Sequence, residues 1–346
     1  MLIIRPIAKQ DFQALQEIAE QSGIGFTSLP QNDELLKAKI ARSVNSFACQ
    51  TDKPGDQGYL FVAEDTETGE VVGTAGIEAS VGLTDAFYHY RLGSVVHSSP
   101  ELGIHKTVKT LSLCNDYTGA AELCTLFLKK SHRRGSNGRL LAKSRFLFMA
   151  SHPLRFGDTV IAEMRGVSDE QGRSPFWQWL QEHFFDLDFP TADYLTGIGE
   201  KRFIAELMPK YPIYVNLLSK AAQDVIGQVH PSTEPAIALL KKEGFRYKNY
   251  VDIFDAGPTV ECPVDHVETV RYSQAVVIRI GELATPATEF LLANTCLTNY
   301  RAGVVTAHQQ EGELFIDAKQ AAMLGLSDGD GARCFAMSSD SNSTSS

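Results

Sequence analysis

The sequence predicts an α/β fold in the looser, α+β sense: a mixed, twisted β-sheet flanked by helices, with a large insertion and a small β-rich C-terminal subdomain. Three observations predict it. The chain opens on a strand-then-helix pattern, a central apolar run passes through a glycine-rich turn straight into a helix, and beyond Cys262 the apolar runs become short and β-rich. With 346 residues and 43 % hydrophobic content, the chain can bury a sizeable core in one large domain or two ordinary ones.

Taken in order, Leu2 to Arg5 reads as a strand, and Asp11 can cap a helix whose Phe12, Leu15, Ile18 and Ala19 face inward. Tyr59 to Ala63 and Val71 to Ile77 are strand-like runs joined by the hairpin turn Asp65-Thr66-Glu67-Thr68-Gly69. Leu123 to Leu128 has strand composition, and Asp158 to Val167 is another strand candidate. Ser174 and Pro175 start a helix, the serine capping and the proline filling the first turn. Val225 to His230 reads as a strand that ends in a turn. Ser232 or Thr233 caps the next helix, with Ile237, Leu239 and Leu240 inward; Gly244 closes it before a strand over Tyr250 to Phe254. Val276 to Ile280, Phe290 to Ala293 and Gly303 to Val305 are the short β-rich runs, and Ala318 to Leu324 suggests one helix. The expected organisation is a main domain over 1–262 with an insertion around 168–223, a C-terminal subdomain over 263–336, and a disordered tail over 337–346, too polar to bury apolar area.

The stretch from Glu122 to Ala150 carries the most chemistry. After the strand comes Lys129-Lys130-Ser131-His132-Arg133-Arg134-Gly135-Ser136-Asn137-Gly138, rich in cations and turn formers. An amphipathic helix follows, with Leu140, Leu141, Leu147 and Phe148 on one face and Arg139 and Lys143 on another. A glycine turn that opens a helix leaves backbone N–H groups aimed at one spot, where the helix dipole also favours an anion such as a pyrophosphate. No Gly-Lys-Ser/Thr closes the loop and the full Gly-x-Gly-x-x-Gly is absent, so a nucleotide thiol carrier such as coenzyme A is the expectation.

The basic cluster runs against the background: 32 Lys and Arg face 42 Asp and Glu, a net charge of −10. That balance argues against nucleic acid or an anionic membrane surface as partner. The six cysteines are scattered without a Cys-x-x-Cys pair, so no metal site or redox motif is expected. The N-terminus lacks a signal-peptide pattern and no apolar run approaches the roughly 20 residues that span a bilayer, which points to the cytoplasm.

Several motifs together are specific. Arg5-Pro6 with Asp11 and Leu15, the Gly-bearing hairpin, the strand before Arg-Arg-Gly-x-x-Gly, and Ala236-x-x-Leu239-x-x-x-Glu243-Gly244-Phe245 resemble successive parts of the GNAT superfamily of acyl-CoA-dependent N-acyltransferases. More closely, Thr27-Ser28-Leu29-Pro30, Asn115-Asp116, Glu122 to Leu128, Ala162 to Gly166, Ser174 to Trp177, Phe203 to Pro209 and Gly227-Gln228-Val229-His230-Pro231 resemble the arginine N-succinyltransferase family, over about residues 1 to 335. The resemblance implies a GNAT-like sheet and transfer of succinyl from succinyl-CoA to the α-amine of L-arginine, the first step of an arginine-degrading route. It departs from the superfamily loop in one respect: His132-x-x-Gly135-x-Asn137 carries Gly138 one place late. A long insertion also leaves open whether Asp158–Val167 or Val225–His230 is the sheet strand that follows the cofactor helix.

The resemblance places a proton-transferring histidine at His230, whose unperturbed pKa of about 6.5 suits proton exchange near neutrality. If the strand is splayed from its neighbour, backbone groups around Leu126 and Leu128 can pair with pantetheine, and Arg133, Arg134, Gly135, Ser136, Asn137 and Gly138 receive the phosphates. Asp116, Glu163 and Glu206 are candidates for the arginine guanidinium, Arg91 and Arg165 for the carboxylates. Covalent catalysis through Cys114 or Cys124 is the mechanistic rival to direct attack. Ornithine as acceptor, a non-catalytic acyl-CoA or amino-acid sensor, and a protein acetyltransferase are the functional rivals. A homodimer, or a heteromer with a paralogous subunit, is the expected assembly.

Overall fold

The structure, a computed structural model, describes residues 1–23, 28–169, 171–197, 199, 202–281 and 286–337. Thr27 and the tail from 338 onward lie outside the described residues.

The chain begins with β1 (Leu2–Pro6), α1 (Phe12–Ser22) and α2 (Asp33–Ala48). Leu15, Ile18 and Ala19 are buried on α1 as expected. Asp11 does not cap that helix, however; its carboxylate accepts from Arg5 at 2.7 and 2.9 Å and from the Ala8 N–H at 2.7 Å. The hairpin is β2 (Gly58–Asp65) with β3 (Val71–Glu78), and a second, longer hairpin that the sequence did not announce is β4 (His89–Ser99) with β5 (Ile104–Cys114). Next come β6 (Ala121–Leu128), α3 (Asn137–Ser151) and β7 (Thr159–Glu163), with β7 parallel to β6. Asp158–Val167 therefore contains the sheet strand that follows α3.

The stretch after β7 supplies α4 (Pro175–Phe184), α5 (Phe189–Gly197), α6 (Arg202–Leu207), β8 (Ile213–Tyr214) and α7 (Lys220–Val225). Ser174 holds the N-cap position of α4, but its hydroxyl is buried without a partner and caps nothing. Val225–His230 is not a strand. Val225 ends α7, Gly227 sits at φ +73°, and only Val229 forms a single antiparallel bridge, to Gly166. Then follow α8 (Glu234–Lys242), β9 (Arg246–Val251) and β10 (Pro258–Pro263). Ile237 and Leu240 of α8 are buried, whereas Leu239 is half-buried. The strand expected over Tyr250–Phe254 lies earlier, because the Asp252 carboxylate accepts from the Phe254 and Asp255 N–H groups and turns the chain.

After α9 (Glu268–Tyr272), strands β11 (Gln274–Ile280), β12 (Thr288–Asn294), β13 (Ala302–Gln310) and β14 (Glu313–Ile316), helix α10 (Ala318–Leu324) and β15 (Gly331–Ala336) complete the chain. Among the described residues the sheet order is β12-β15-β11-β14-β13-β1-β2-β3-β6-β7-β10-β9-β4-β5-β8, and a β12–β13 pairing closes the C-terminal strands on themselves. The C-terminal strands join the main sheet through β13 and β1, Ile3 opposite Gly303.

This junction changes the character of α3. Besides Leu140, Leu141, Leu147 and Phe148, it buries Ala142, Ser144, Arg145, Phe146 and Met149, so the expected amphipathic helix is enclosed beyond its first turn. Phe148 packs edge-on to Phe47, Phe61 and Tyr300, at 5.6, 5.2 and 5.1 Å between ring centroids, and the Tyr300 hydroxyl donates to the Ser144 carbonyl at 2.7 Å. Such aromatic pairs add about 0.5–1.5 kcal/mol each beyond burial. Lys143, on the other face of the helix, pairs at 2.7 Å with the buried carboxylate of Glu243.

Candidate active site

Strand β6 pairs with β7 only at Ala121–Val160 and Glu122–Ile161, while β7 turns its other edge to β10 as far as Glu163. Beyond Glu122 the two parallel strands part. A bulge sits at the parting: Thr125, buried, has φ +55°, and the register against β3 slips between Thr74 and Gly76. A bulge of this kind bends a strand and re-aims its backbone groups. Leu126 and Leu128 lie just past it, and their side chains pack into the core on the α3 side. The gap between the strands therefore presents the backbone edge of β6 rather than its side chains.

At the end of β6 the glycine turn enters α3. Gly135 has φ +55°, a conformation that L side chains adopt with strain, and an added Cβ at Gly135 or Gly138 would meet nothing within 4 Å, so the loop faces open space. Ser136 occupies the N-cap position without a side-chain cap, leaving first-turn N–H groups for an outside acceptor. Part of the cation cluster is structural. Lys129 pairs with Glu70 at 2.7 Å, His132 stands 3.4 Å from Asp65, and Arg133 folds back to donate to the Leu128 carbonyl at 2.8 Å. Arg134, exposed, has no ion pair among the described residues.

His230 reaches the site by a strap. Its N–H donates to the Arg165 carbonyl at 2.8 Å, next to the Gly166–Val229 bridge just past β7. Asp255 fixes the segment on which the strap rests by accepting from the Gly166 N–H at 2.6 Å and the Gly257 N–H at 2.8 Å, and the strap's Gly227 N–H donates to the neighbouring Ala256 carbonyl at 2.8 Å. Burial and the neighbouring Asp252 raise the Asp255 carboxyl well above the usual range. A Cβ on Gly166 would lie 2.6 Å from the Asp255 carbonyl oxygen, so only glycine fits this approach. The imidazole is oriented locally: Nδ1 accepts from the Ser232 N–H at 3.1 Å and lies 2.7 Å from its hydroxyl. A backbone N–H can only donate, so in the neutral ring the proton is assigned to Nε2. Partial burial, then the charge of Arg165, lowers the His230 pKa, which favours that neutral form. Ser232 and Thr233, expected as helix caps, instead serve His230; the Thr233 hydroxyl donates to its carbonyl at 2.7 Å.

The charged candidates divide. Glu163 lies at the end of β7, its Oε1 2.9 Å from Nε2 of the fully buried His89, although neither ring nitrogen of His89 makes an aligned hydrogen bond. Burial outweighs Asp252 and Asp116 and pushes His89 down to about 4, leaving it neutral near pH 7. Arg165 donates to the Ser168 hydroxyl at 3.1 Å. Arg91 and Asp116 come together, 3.7 Å apart, beside Tyr250, whose hydroxyl donates to Asp116 at 2.8 Å. Glu206 is exposed on α6, without an ion pair among the described residues. Sequence reasoning gives no role to Tyr250, Tyr117, His89 or Asp255; the first three come together as a ring cluster, with Tyr117 5.0 Å from His89 and 4.7 Å from Tyr250, through contacts between distant segments. Burial pushes the Cys124 thiol up to about 12 and raises Cys114 as well, so neither offers a thiolate nucleophile.

Among the described residues no group of three or more His, Cys, Asp or Glu side chains is arranged to hold a metal ion, and no helix is long and apolar enough to cross a membrane. A phosphate-seeking helix end, an unpaired strand edge leading away from it, and a neutral imidazole across the parting suit movement of an acyl group from a thiol carrier to an amine, the work of an acyltransferase. The comparisons with known proteins agree, and the chain belongs to the arginine N-succinyltransferase family. The family model described as arginine N-succinyltransferase beta subunit matches residues 2–269, and that of its C-terminal domain matches 274–336. The arginine N-succinyltransferases of Escherichia coli strain K12 and of O157:H7 are 50 % identical to it over 336 residues, covering 96 % of this chain and 97 % of theirs. The structure of arginine/ornithine succinyltransferase subunit AI from Pseudomonas aeruginosa matches with a TM-score of 0.89 at 38 % identity, over 98 % of this chain and 99 % of that one.

Proposed function

We propose that this chain transfers the succinyl group of succinyl-CoA to the α-amino group of L-arginine, giving N2-succinyl-L-arginine and CoA, by direct attack within a ternary complex. Family membership over nearly the whole chain supports the reaction. The single structural observation that carries the mechanism is the strap that holds a neutral His230 beside the parting of β6 and β7.

The α3 N-terminus with Arg134 and Gly135 to Gly138 takes the diphosphate of the carrier, and the open edge of β6 around Leu126 pairs with its pantetheine amides. An N–H there polarises the thioester carbonyl. With the α-amine entering as the free base, attack puts positive charge on its nitrogen; His230 passes its Nε2 proton to the departing sulfur as that nitrogen returns one to Nε2, so the ring ends neutral and one proton has moved from nitrogen to sulfur. A general acid–base group so placed contributes roughly 10² to 10⁴ in rate. Arg165, beside His230, is the cation for a substrate carboxylate.

The test is CoA thiol release from purified protein with succinyl-CoA or acetyl-CoA, each with L-arginine, L-ornithine or no acceptor. Release that needs both succinyl-CoA and arginine supports the reading. Tight succinyl-CoA binding with no release under any acceptor sinks it and leaves a sensor.

A further inference from the structure

Four neighbouring strands place Glu163, Thr259, Tyr250 and Arg91 in one row, each opposite the next in register. Residues paired in this way point to the same face of a sheet, at steps of about 4.8 Å. Toward the Arg91 end of the row, Tyr250 is held firmly. Its hydroxyl donates to Asp116 Oδ2 at 2.8 Å, and its ring packs 4.7 Å from that of Tyr117. The result is a fixed aromatic face beside a carboxylate, the two groups that together suit a planar guanidinium.

One guanidinium is already there. Arg91 lies over the Tyr250 ring, its Cζ 5.6 Å from the centroid, with Nη1 3.7 Å from Asp116 Oδ2. That distance is too long for a hydrogen bond, and the Arg91 side chain is 60 % exposed, so the resident is weakly held.

We propose that Tyr250 and Asp116 form the subsite for the guanidinium of the acceptor, and that Arg91 is an internal stand-in which the substrate displaces rather than a ligand for a substrate carboxylate. The proposal rests on the acyl-transfer reading above and deepens it, because it selects a guanidinium-bearing acceptor over an ammonium-bearing one. An ammonium keeps the point charge of Asp116 but loses the planar stack on Tyr250. The distance is reasonable: Glu163 lies two strands, roughly 10 Å, from Tyr250, and two residues further along Glu163's own chain is Arg165, whose carbonyl holds His230.

Steady-state kinetics with succinyl-CoA and either L-arginine or L-ornithine test it on wild type, Tyr250→Leu, Tyr250→Phe, Asp116→Asn and Arg91→Ala. Tyr250→Leu should reduce kcat/KM for arginine about tenfold and for ornithine no more than about twofold, with Tyr250→Phe keeping most of the preference. Asp116→Asn should weaken both acceptors, and Arg91→Ala should lower KM for arginine. The proposal is overturned if Arg91→Ala raises that KM as Asp116→Asn does, or if Tyr250→Leu weakens both acceptors equally. Should Tyr250→Leu fail to fold, the Arg91→Ala result alone decides. Absence of any transfer by the wild type would instead sink the reaction, and the subsite with it.

Discussion

The two ends of the site are built by different means. The proposed carrier end, from Ala121 to Ser151, is a single strand-loop-helix that offers backbone: a free strand edge, a glycine turn and a helix N-terminus. The proposed acceptor end is made of side chains brought from β4, the turn after β5, β7, β9 and the strap before α8. On this proposal the difference teaches that a carrier common to many reactions can be held by local geometry, whereas the group that decides which amine reacts is assembled across the sheet.

Substitutions can break or sharpen this contrast. The largest effect is expected from His230→Ala, which should lower kcat at least about a hundredfold while calorimetric affinity for succinyl-CoA stays within a few-fold; a comparable loss of succinyl-CoA affinity would merge the two ends. Next comes acid. His89 at the acceptor end is buried neutral at about 4, below its unfolded value of about 6.5. A depressed histidine contributes stability that is fully present above the unfolded value and is lost as pH falls through the folded one. Unfolding free energy should therefore drop between pH 6.5 and 4, by on the order of 3 kcal/mol from this residue. His89→Phe should flatten that segment of a denaturant-measured pH profile, and an unchanged slope would remove His89 from the account. Arg134→Ala should raise the KM for succinyl-CoA about tenfold, an effect that shrinks in high salt because the residue is exposed; an equal rise in the KM for arginine would refute its placement at the carrier end. The smallest change belongs to Leu126→Met. If β6 acts through its backbone, both KM values should move by less than about twofold, since the swap conserves volume in the core.

Legibility in the sequence followed the same division. The turn at Gly135 and the helix after it could be read because apolar spacing, glycine and charge are all local signals. Even there the reading failed where distant chain intervened: α3 is enclosed because Tyr300 and the C-terminal strands cover its back. Tyr250 was placed in a strand but given no role. Its partners Asp116 and Arg91 are more than a hundred residues away, and its register against Thr259 depends on a slip between Thr259 and Val260 that no periodicity announces. Val225–His230 reads as a strand from its short apolar composition. The turn at Gly227 and the hydrogen bond to Arg165 made it a strap instead.

By itself, then, the sequence determined a mixed α/β chain with a glycine-rich, basic loop between its central strand and the next helix, since these depend on neighbours a few residues apart. The tertiary structure alone decided that β6 and β7 part beyond Glu122, that Asp255 fixes Gly166 where the strap bridges to it, and that Tyr250, Asp116 and Arg91 come together. The physical reason is that strand register and close backbone approach are properties of pairs of distant segments, and they are settled only when the whole sheet is packed.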